Sequence, residues 1–346
     1  MTDRRADTLP KTGPRRSALP GRRRCRAALA VLAAFALMAC ATPPSAPEVR
    51  GPAVAWPDTH SRTVDAVGGV ARYRLNVMLP PDYASDPQRR YPVLVVLNGD
   101  RQFRNVVQAS QGVQLSGQVE PVIVVGVAYP EADYADAEAQ GLSPLAYWYQ
   151  RRALEFTPTR DDALDAAESE QYRIAVRSGG AERLRRALRE DILPTVARDY
   201  RMDGTLALYG FSYGGLFAAD EMLRPDRMFS RYGLGDPTLN WDGDYIARQV
   251  QARGEAGGDL PVRVFLSAGD ANHPDVGESR DFHERVLAFG RQLEGSGFSG
   301  LELTTHVFAG ENHMSVSPAT ASRMLRALFP AEPDMTGLSL GGDDEP

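Results

Sequence analysis

Gly210-Phe211-Ser212-Tyr213-Gly214, followed by Gly215, sets a serine among glycines where the apolar run Thr205–Tyr209 gives way to the helix-forming stretch Leu216–Leu223. A serine at such a strand-to-helix turn is forced into a strained backbone conformation with its hydroxyl exposed, as a nucleophile for acyl transfer requires. Glycine is expected at 210, 214 and 215 because a turn this sharp leaves no room beside the chain. The turn also opens an amphipathic helix, so the amide of Tyr213 is placed to meet a developing oxyanion.

A serine hydroxyl attacks an ester only when a base removes its proton. Five histidines are available. His60 falls in the entry segment, His283 in a predicted helix and His306 in a predicted strand. His313, in Gly310-Glu-Asn-His-Met314, lies just past the last predicted strand, at the edge where a parallel sheet gathers its reactive loops. His273 also leaves a strand end, but on the loop where the acid is expected. If the order is serine, acid, histidine, the acid lies between 212 and 313. Asp270, soon after the strand that ends at Ser267, is the first choice, with Asp275 and Glu278 on the same loop as alternatives. Such a carboxylate orients the imidazole and stabilises its charged form. A second oxyanion donor is expected from Asn98-Gly99-Asp100-Arg101, as a backbone N–H near Gly99 or Asp100.

These groups need a scaffold. Tyr91–Leu97 and Pro121–Val127 are continuous apolar runs, the pattern of strands covered on both faces, and the interval between them suits a crossover helix. Strands are also predicted at Phe229–Gly235, which ends in Asp236-Pro-Thr-Leu-Asn-Trp241, at Val262–Ser267 and at Leu301–Phe308. Before them, Arg62–Val67 and Ala71–Met78 around Gly68-Gly69 read as an antiparallel hairpin. Helices are expected at Ala181–Tyr200, with a kink near Pro194, at Arg280–Leu293, and from Ser317-Pro318 to Phe329 with Ser317 as N-cap. Residues 129–180 have little regular pattern. They read as a pocket wall or lid, and Trp148, with Trp241 elsewhere, is a candidate for an aromatic pocket.

The ends of the chain read as processing and tether. Arg22-Arg-Arg-Cys-Arg26 precedes an apolar run, Ala27–Met38, and small residues follow, the anatomy of an export signal over residues 1–39. Leu37-Met38-Ala39-Cys40 resembles the lipobox of bacterial lipoproteins, in which the cysteine is lipidated. The resemblance implies a membrane anchor on Cys40, a Pro- and Ala-rich tether over 40–57, and a position in the bacterial envelope facing the periplasm, on the outer membrane. Export by the twin-arginine route is an alternative to the general one. The folded domain is then 58–330, and 331–346 reads as a disordered tail. The only cysteines are Cys25 and Cys40, so the domain carries no disulfide. Beyond residue 39 the chain has 30 basic and 43 acidic side chains, which disfavours nucleic acid as a partner. No HExxH, dense histidine cluster or thiol pair calls for a metal, and no cofactor is expected. Oligomeric state is not encoded legibly.

Tyr91-Pro-Val-Leu-Val-Val-Leu-Asn-Gly-Asp100, Phe156-Thr-Pro158, Leu208-Tyr-Gly-Phe-Ser-Tyr-Gly-Gly215 and Gly310-Glu-Asn-His313 occur in the order seen in the putative-esterase family of α/β hydrolases, which the chain resembles over about residues 60–330. It is most similar to the enterochelin-esterase group, which opens the trilactone of catecholate siderophores. The resemblance implies an α/β-hydrolase fold: a mostly parallel central sheet with an antiparallel N-terminal hairpin and helices on both faces. It also implies Ser212 as nucleophile and His313 as base. Asn272 stands where relatives often carry an acid, and some relatives work with a Ser-His dyad. Asn98 replaces a more usual aspartate. The activity expected is a serine carboxylic-ester hydrolase acting on a small-molecule ester through an acyl-enzyme. The alternatives are an acyltransferase to an envelope alcohol and a non-catalytic binding protein of the same fold.

Overall fold

The computed structural model describes residue 56, residues 58–271 and residues 280–331. The leader, Cys40, nearly all of the tether and the tail lie outside the described residues, as do His273, Asp275 and Glu278.

Eight strands form one sheet in the order β1-β2-β4-β3-β5-β6-β7-β8. They are β1 (Thr59–Ala66), β2 (Ala71–Met78), β3 (Tyr91–Val96), β4 (Ile123–Ala128), β5 (Met202–Phe211), β6 (Arg231–Gly235), β7 (Val262–Gly269) and β8 (Leu301–Phe308). The β1–β2 and β2–β4 pairings are antiparallel and the remainder are parallel, as the hairpin and the apolar runs imply. Val67, Gly68 and Gly69 all take positive φ in the hairpin turn.

The central strands are buried on both faces because helices cover both. Val93, Val95 and Leu97 of the β3 run join the larger core, with Ala153, Phe156, Leu184, Phe217, Ile246 and Phe289. Leu94 and Val96 point the other way, into a second core with Phe103, Val106, Met324 and Leu328. The second core is roofed by α1 (Gly99–Leu115) and the last helix, α10 (Val316–Leu328). Ser315, not Ser317, occupies the N-cap position of α10. Ser317 instead ties the two roofing helices together, donating to Gln102 and accepting from Asn105 Nδ2 at 3.0 Å.

The stretch 129–180 is helical where the sequence lacks a clear period: α2 (Glu131–Ala139), α3 (Pro144–Phe156) and α4 (Asp162–Tyr172). Local chemistry starts the last two. Ser143 accepts from the Ala146 N–H, with Pro144 following it, and Asp161 accepts from the N–H groups of Ala163 and Leu164. The predicted kink near Pro194 is a π-helical turn, Leu188–Ile192, between α5 (Ala181–Ala187) and α6 (Leu193–Asp199). The helix after the serine, α7 (Tyr213–Leu223), is buried at every residue rather than amphipathic. Its two acids are neutralised from α5: Arg185 pairs with Asp220 and lies 3.0 Å from Glu221. Tyr245, at the start of α8 (Tyr245–Glu255), donates to Asp220 at 3.0 Å. The remaining helix is α9 (Arg280–Gly295). Among the described residues, no helix is long and apolar enough to cross a membrane.

Candidate active site

Ser212 joins β5 to α7 at φ 59° and ψ −120°, a conformation that L-residues adopt only under constraint. The constraint is visible on both sides. A Cβ on Gly210 would sit 1.8 Å from the Gly214 carbonyl oxygen, and one on Gly215 would sit 2.8 Å from Pro237 Cβ. At Gly214 the nearest atom is 3.5 Å away, so crowding explains glycine at 210 and 215 but not at 214. The Ser212 N–H donates to the Gly235 carbonyl at 3.0 Å, which pins the turn to the end of the neighbouring strand β6.

His313 reaches Ser212 from the loop after β8. Its Nδ1 lies 2.8 Å from Asp236 Oδ2 and its Nε2 lies 3.1 Å from Ser212 Oγ. An ionised carboxylate can only accept, so Nδ1 carries the proton and Nε2 is free to accept from the serine. Phe211 and Phe282 flank the imidazole, with ring centroids 5.0 Å and 5.3 Å away. Asp236 is 1 % exposed, and its own N–H donates to the Ser267 carbonyl at 2.7 Å.

The carboxylate beside His313 is therefore Asp236, not Asp270. Sheet order gives the reason: β6 lies directly beside β5, whereas β7, which leads to Asp270, is one strand further out. Asp270 has a different task. Its Oδ1 accepts from the Gly310 N–H at 2.7 Å, bracing the turn that leads to His313. The two loops are pressed together at that point, for a Cβ on Gly269 would meet the Glu311 carbonyl oxygen at 2.2 Å. The sequence carried a signal for Asp236, an aspartate immediately after a predicted strand, but it fell one loop before the expected one. Of the other histidines, His60 bonds to the Tyr200 hydroxyl and His306 packs edge-on against Phe308.

Two helices begin at the wall of the cavity that Ser212 lines. The first N–H groups of α7 start at Tyr213, and those of α1 start at Gly99 and Asp100, and such groups have no acceptor within their own helix. The N–H groups of Arg101 and Gln102 are already committed to the Asn98 carbonyl. Asn98 takes a left-handed conformation, φ 54°, and its Nδ2 lies 3.4 Å from the Phe211 carbonyl oxygen. Gly99 is packed against the backbone of Gly126 and Val127, where a Cβ would come within 2.8 Å. The Asp100 side chain turns to Arg74, at 3.0 Å, and to the Tyr129 N–H, at 3.1 Å. Burial nevertheless raises its pKa from the ordinary value.

Ser212 and His313 open into a cavity of about 840 Å³ whose wall includes Asp100, Trp148, Tyr213 and Trp241. Trp241 meets Tyr213 edge-on at 5.6 Å, and its Nε1 donates to Thr159 Oγ1 at 3.1 Å. Glu168 of α4 closes this wall: it accepts from the Tyr149 hydroxyl at 2.9 Å and from the Tyr213 hydroxyl. Among the described residues, no three His, Cys, Asp or Glu side chains are grouped to hold a metal ion.

Similarity to known proteins points the same way. The family model described as "Putative esterase" matches residues 70–156. Ferri-bacillibactin esterase BesA of Bacillus subtilis (strain 168) is 27 % identical over 299 residues, spanning 82 % of this chain and 93 % of that protein. Among solved structures, an IroE-like serine hydrolase from Shewanella oneidensis superposes with a TM-score of 0.65 at 24 % identity, over 78 % of this chain and 80 % of that one. BES protein from Bacillus cereus gives a TM-score of 0.66 at 20 % identity, over 81 % and 99 %.

Proposed function

From the premise that this chain belongs to the putative-esterase family of α/β hydrolases and is a serine esterase, we propose that it cleaves siderophore-type esters through an acyl-enzyme, with Ser212 as nucleophile, His313 as base and Asp236 as orienting acid. The observation that carries this is the unbroken relay from Asp236 through His313 to Ser212 at the cavity wall.

His313 Nε2 takes the hydroxyl proton as Ser212 Oγ bonds to the ester carbonyl carbon, and the carbonyl electron pair moves onto oxygen. The N–H of Tyr213 and an N–H from the first turn of α1, at Gly99 or Asp100, receive that charge. Collapse breaks the bond to the alcohol oxygen, which leaves with the proton from His313. Water then gives a proton to His313 and attacks the acyl-enzyme, releasing the acid and restoring Ser212. Asp236 keeps the Nδ1 proton in place throughout and stabilises the imidazolium. Substrate class rests on the relatives, of which BesA is named for a ferric siderophore ester.

The mature protein is expected to hydrolyse 4-nitrophenyl acetate or butyrate and to be labelled by a fluorophosphonate at Ser212. Turnover that persists undiminished in Ser212→Ala, or a label mapped elsewhere, would remove the proposal. The proposed setting is the envelope, through a lipid on Cys40, supported by Leu37-Met-Ala-Cys40 after the apolar run. Incorporation of labelled palmitate that is lost in Cys40→Ala tests it, and equal incorporation in the variant would sink it.

A further inference from the structure

A single apolar side chain in water needs no explanation, but several gathered at one opening do. Among the described residues six large hydrophobic side chains are exposed, and three of them, Leu145, Tyr172 and Met314, border the mouth of the cavity that Ser212 lines. Their exposures are 58 %, 45 % and 60 %. Each comes from a different element, and local contacts hold each one out. Leu145 stands in the first turn of α3, where Ser143 accepts from the Ala146 N–H at 3.2 Å. Tyr172 ends α4 with its ring 4.4 Å from that of Tyr149. Met314 follows His313 in the turn after β8, its N–H donating to Asn312 Oδ1 at 2.9 Å.

The charge at the same opening is positive. Arg101 and Arg104, near the start of α1, are exposed and border the cavity, and among the described residues neither forms an ion pair. Arg101 rests over the Trp148 indole, 4.3 Å from its centroid. The acids of the lining are engaged inward, Asp100 by Arg74 at 3.0 Å and Glu168 by the hydroxyls of Tyr149 and Tyr213. Exposed aliphatic and aromatic groups beside guanidiniums suit a lipid headgroup layer. The carbon-rich groups enter its acyl boundary, and the planar N–H forks hold phosphate oxygens.

We propose that this rim docks on a phospholipid surface containing anionic lipid, with Leu145, Tyr172 and Met314 at the headgroup boundary and Arg101 and Arg104 on phosphate. The cavity then opens onto the membrane rather than onto bulk water. The chain as a whole carries a charge of −6, so attraction is confined to the rim, and this gives the docked domain one orientation. A lipid on Cys40, as proposed above, would keep the surface within reach. The residues from Cys40 to Trp56 extend to about 55 Å at most, which leaves the choice of face to the rim. Docking depends neither on that lipid nor on the ester-hydrolase reading.

Hydrogen–deuterium exchange of the full chain tests this, with vesicles of phosphatidylcholine alone and of phosphatidylcholine mixed with phosphatidylglycerol. On the mixed vesicles the amides of residues 143–146 and 312–315 are expected to exchange about threefold or more slowly, while those around Leu115, 77 % exposed at the other end of α1, keep their rate. Leu145→Glu is expected to abolish the slowing at 312–315, on a separate element, and Arg104→Glu to remove the preference for the mixed vesicles. Exchange in vesicle-free buffer shows whether each variant keeps its fold, and the comparison in the unaltered chain needs no variant. No slowing at the rim, equal slowing around Leu115, or slowing at 312–315 undiminished in Leu145→Glu overturns the proposal. So does slowing that appears without vesicles as protein concentration rises, which would make a second copy the occupant. Palmitate incorporation and 4-nitrophenyl butyrate turnover report separately on the anchor and on the hydrolase.

Discussion

His313 Nδ1 lies 2.8 Å from Asp236 Oδ2, across a gap of 77 residues in sequence. Asp236 is 1 % exposed, so its charge is available to the imidazole with little screening by water. Asp236→Asn keeps the shape but allows the wrong tautomer, and kcat for 4-nitrophenyl butyrate should fall by about a thousandfold or more. Asp270→Asn can still accept from the Gly310 N–H and should change kcat less than about tenfold. Steady-state kinetics on the two variants side by side would reverse the assignment if the losses were exchanged.

The elbow makes a steric prediction. Gly210→Ala drives a methyl group into the Gly214 carbonyl, where the available distance is 1.8 Å, and should cost about 3 kcal/mol or more of stability. Gly214→Ala meets nothing nearer than 3.5 Å and should cost less than about 1 kcal/mol. Urea unfolding midpoints measure both, and equal costs would refute the crowding argument.

Arg185→Met tests the buried ion cluster beneath α7. It leaves Asp220 and Glu221, 5 % and 0 % exposed, without their cation. Burial already raises both carboxyl pKa values. The loss should be about 3–5 kcal/mol in denaturant unfolding. A change below about 1 kcal/mol would mean that the acids are neutral in the folded state.

Asp226 contributes to acid sensitivity with a definite sign. Hydrogen bonds from Arg224 and then Arg189 lower the Asp226 pKa from 3.8 to about 2. Its contribution is complete above the unfolded value and disappears as pH falls through about 2. Asp226→Asn should therefore be less stable than the unaltered chain at pH 6, by no more than about 1 kcal/mol for pairs this exposed, and the gap should narrow toward pH 3. A gap that widens on acidification contradicts the assignment.

Much of this architecture is legible in residue order. From Pro92 to Leu97 the run has no polar side chain, as suits a strand covered on both faces, and Gly68-Gly69 marks the hairpin turn, where both take positive φ. Ser212 and His313 are legible because glycines and strand ends frame them. Asp236 was obscured because the acid's loop depends on which strands are neighbours, and that is a property of the sheet rather than of any local pattern. The helices of 131–172 were hidden for another reason. In α2 only Ala137 is buried, so there is no apolar stripe to read, and the segment is held by contacts such as Arg72 to Asp133 and Tyr134 against Tyr147.

The nucleophile and its base are separated by 101 residues, with β6, β7 and β8 laid down between them. A chain emerging from the ribosome can complete β5 and the turn at Ser212 long before His313 exists. The pairing of Ser212 with its imidazole is thus withheld from any nascent or truncated form that stops short of residue 313, an ordering in time imposed by topology alone.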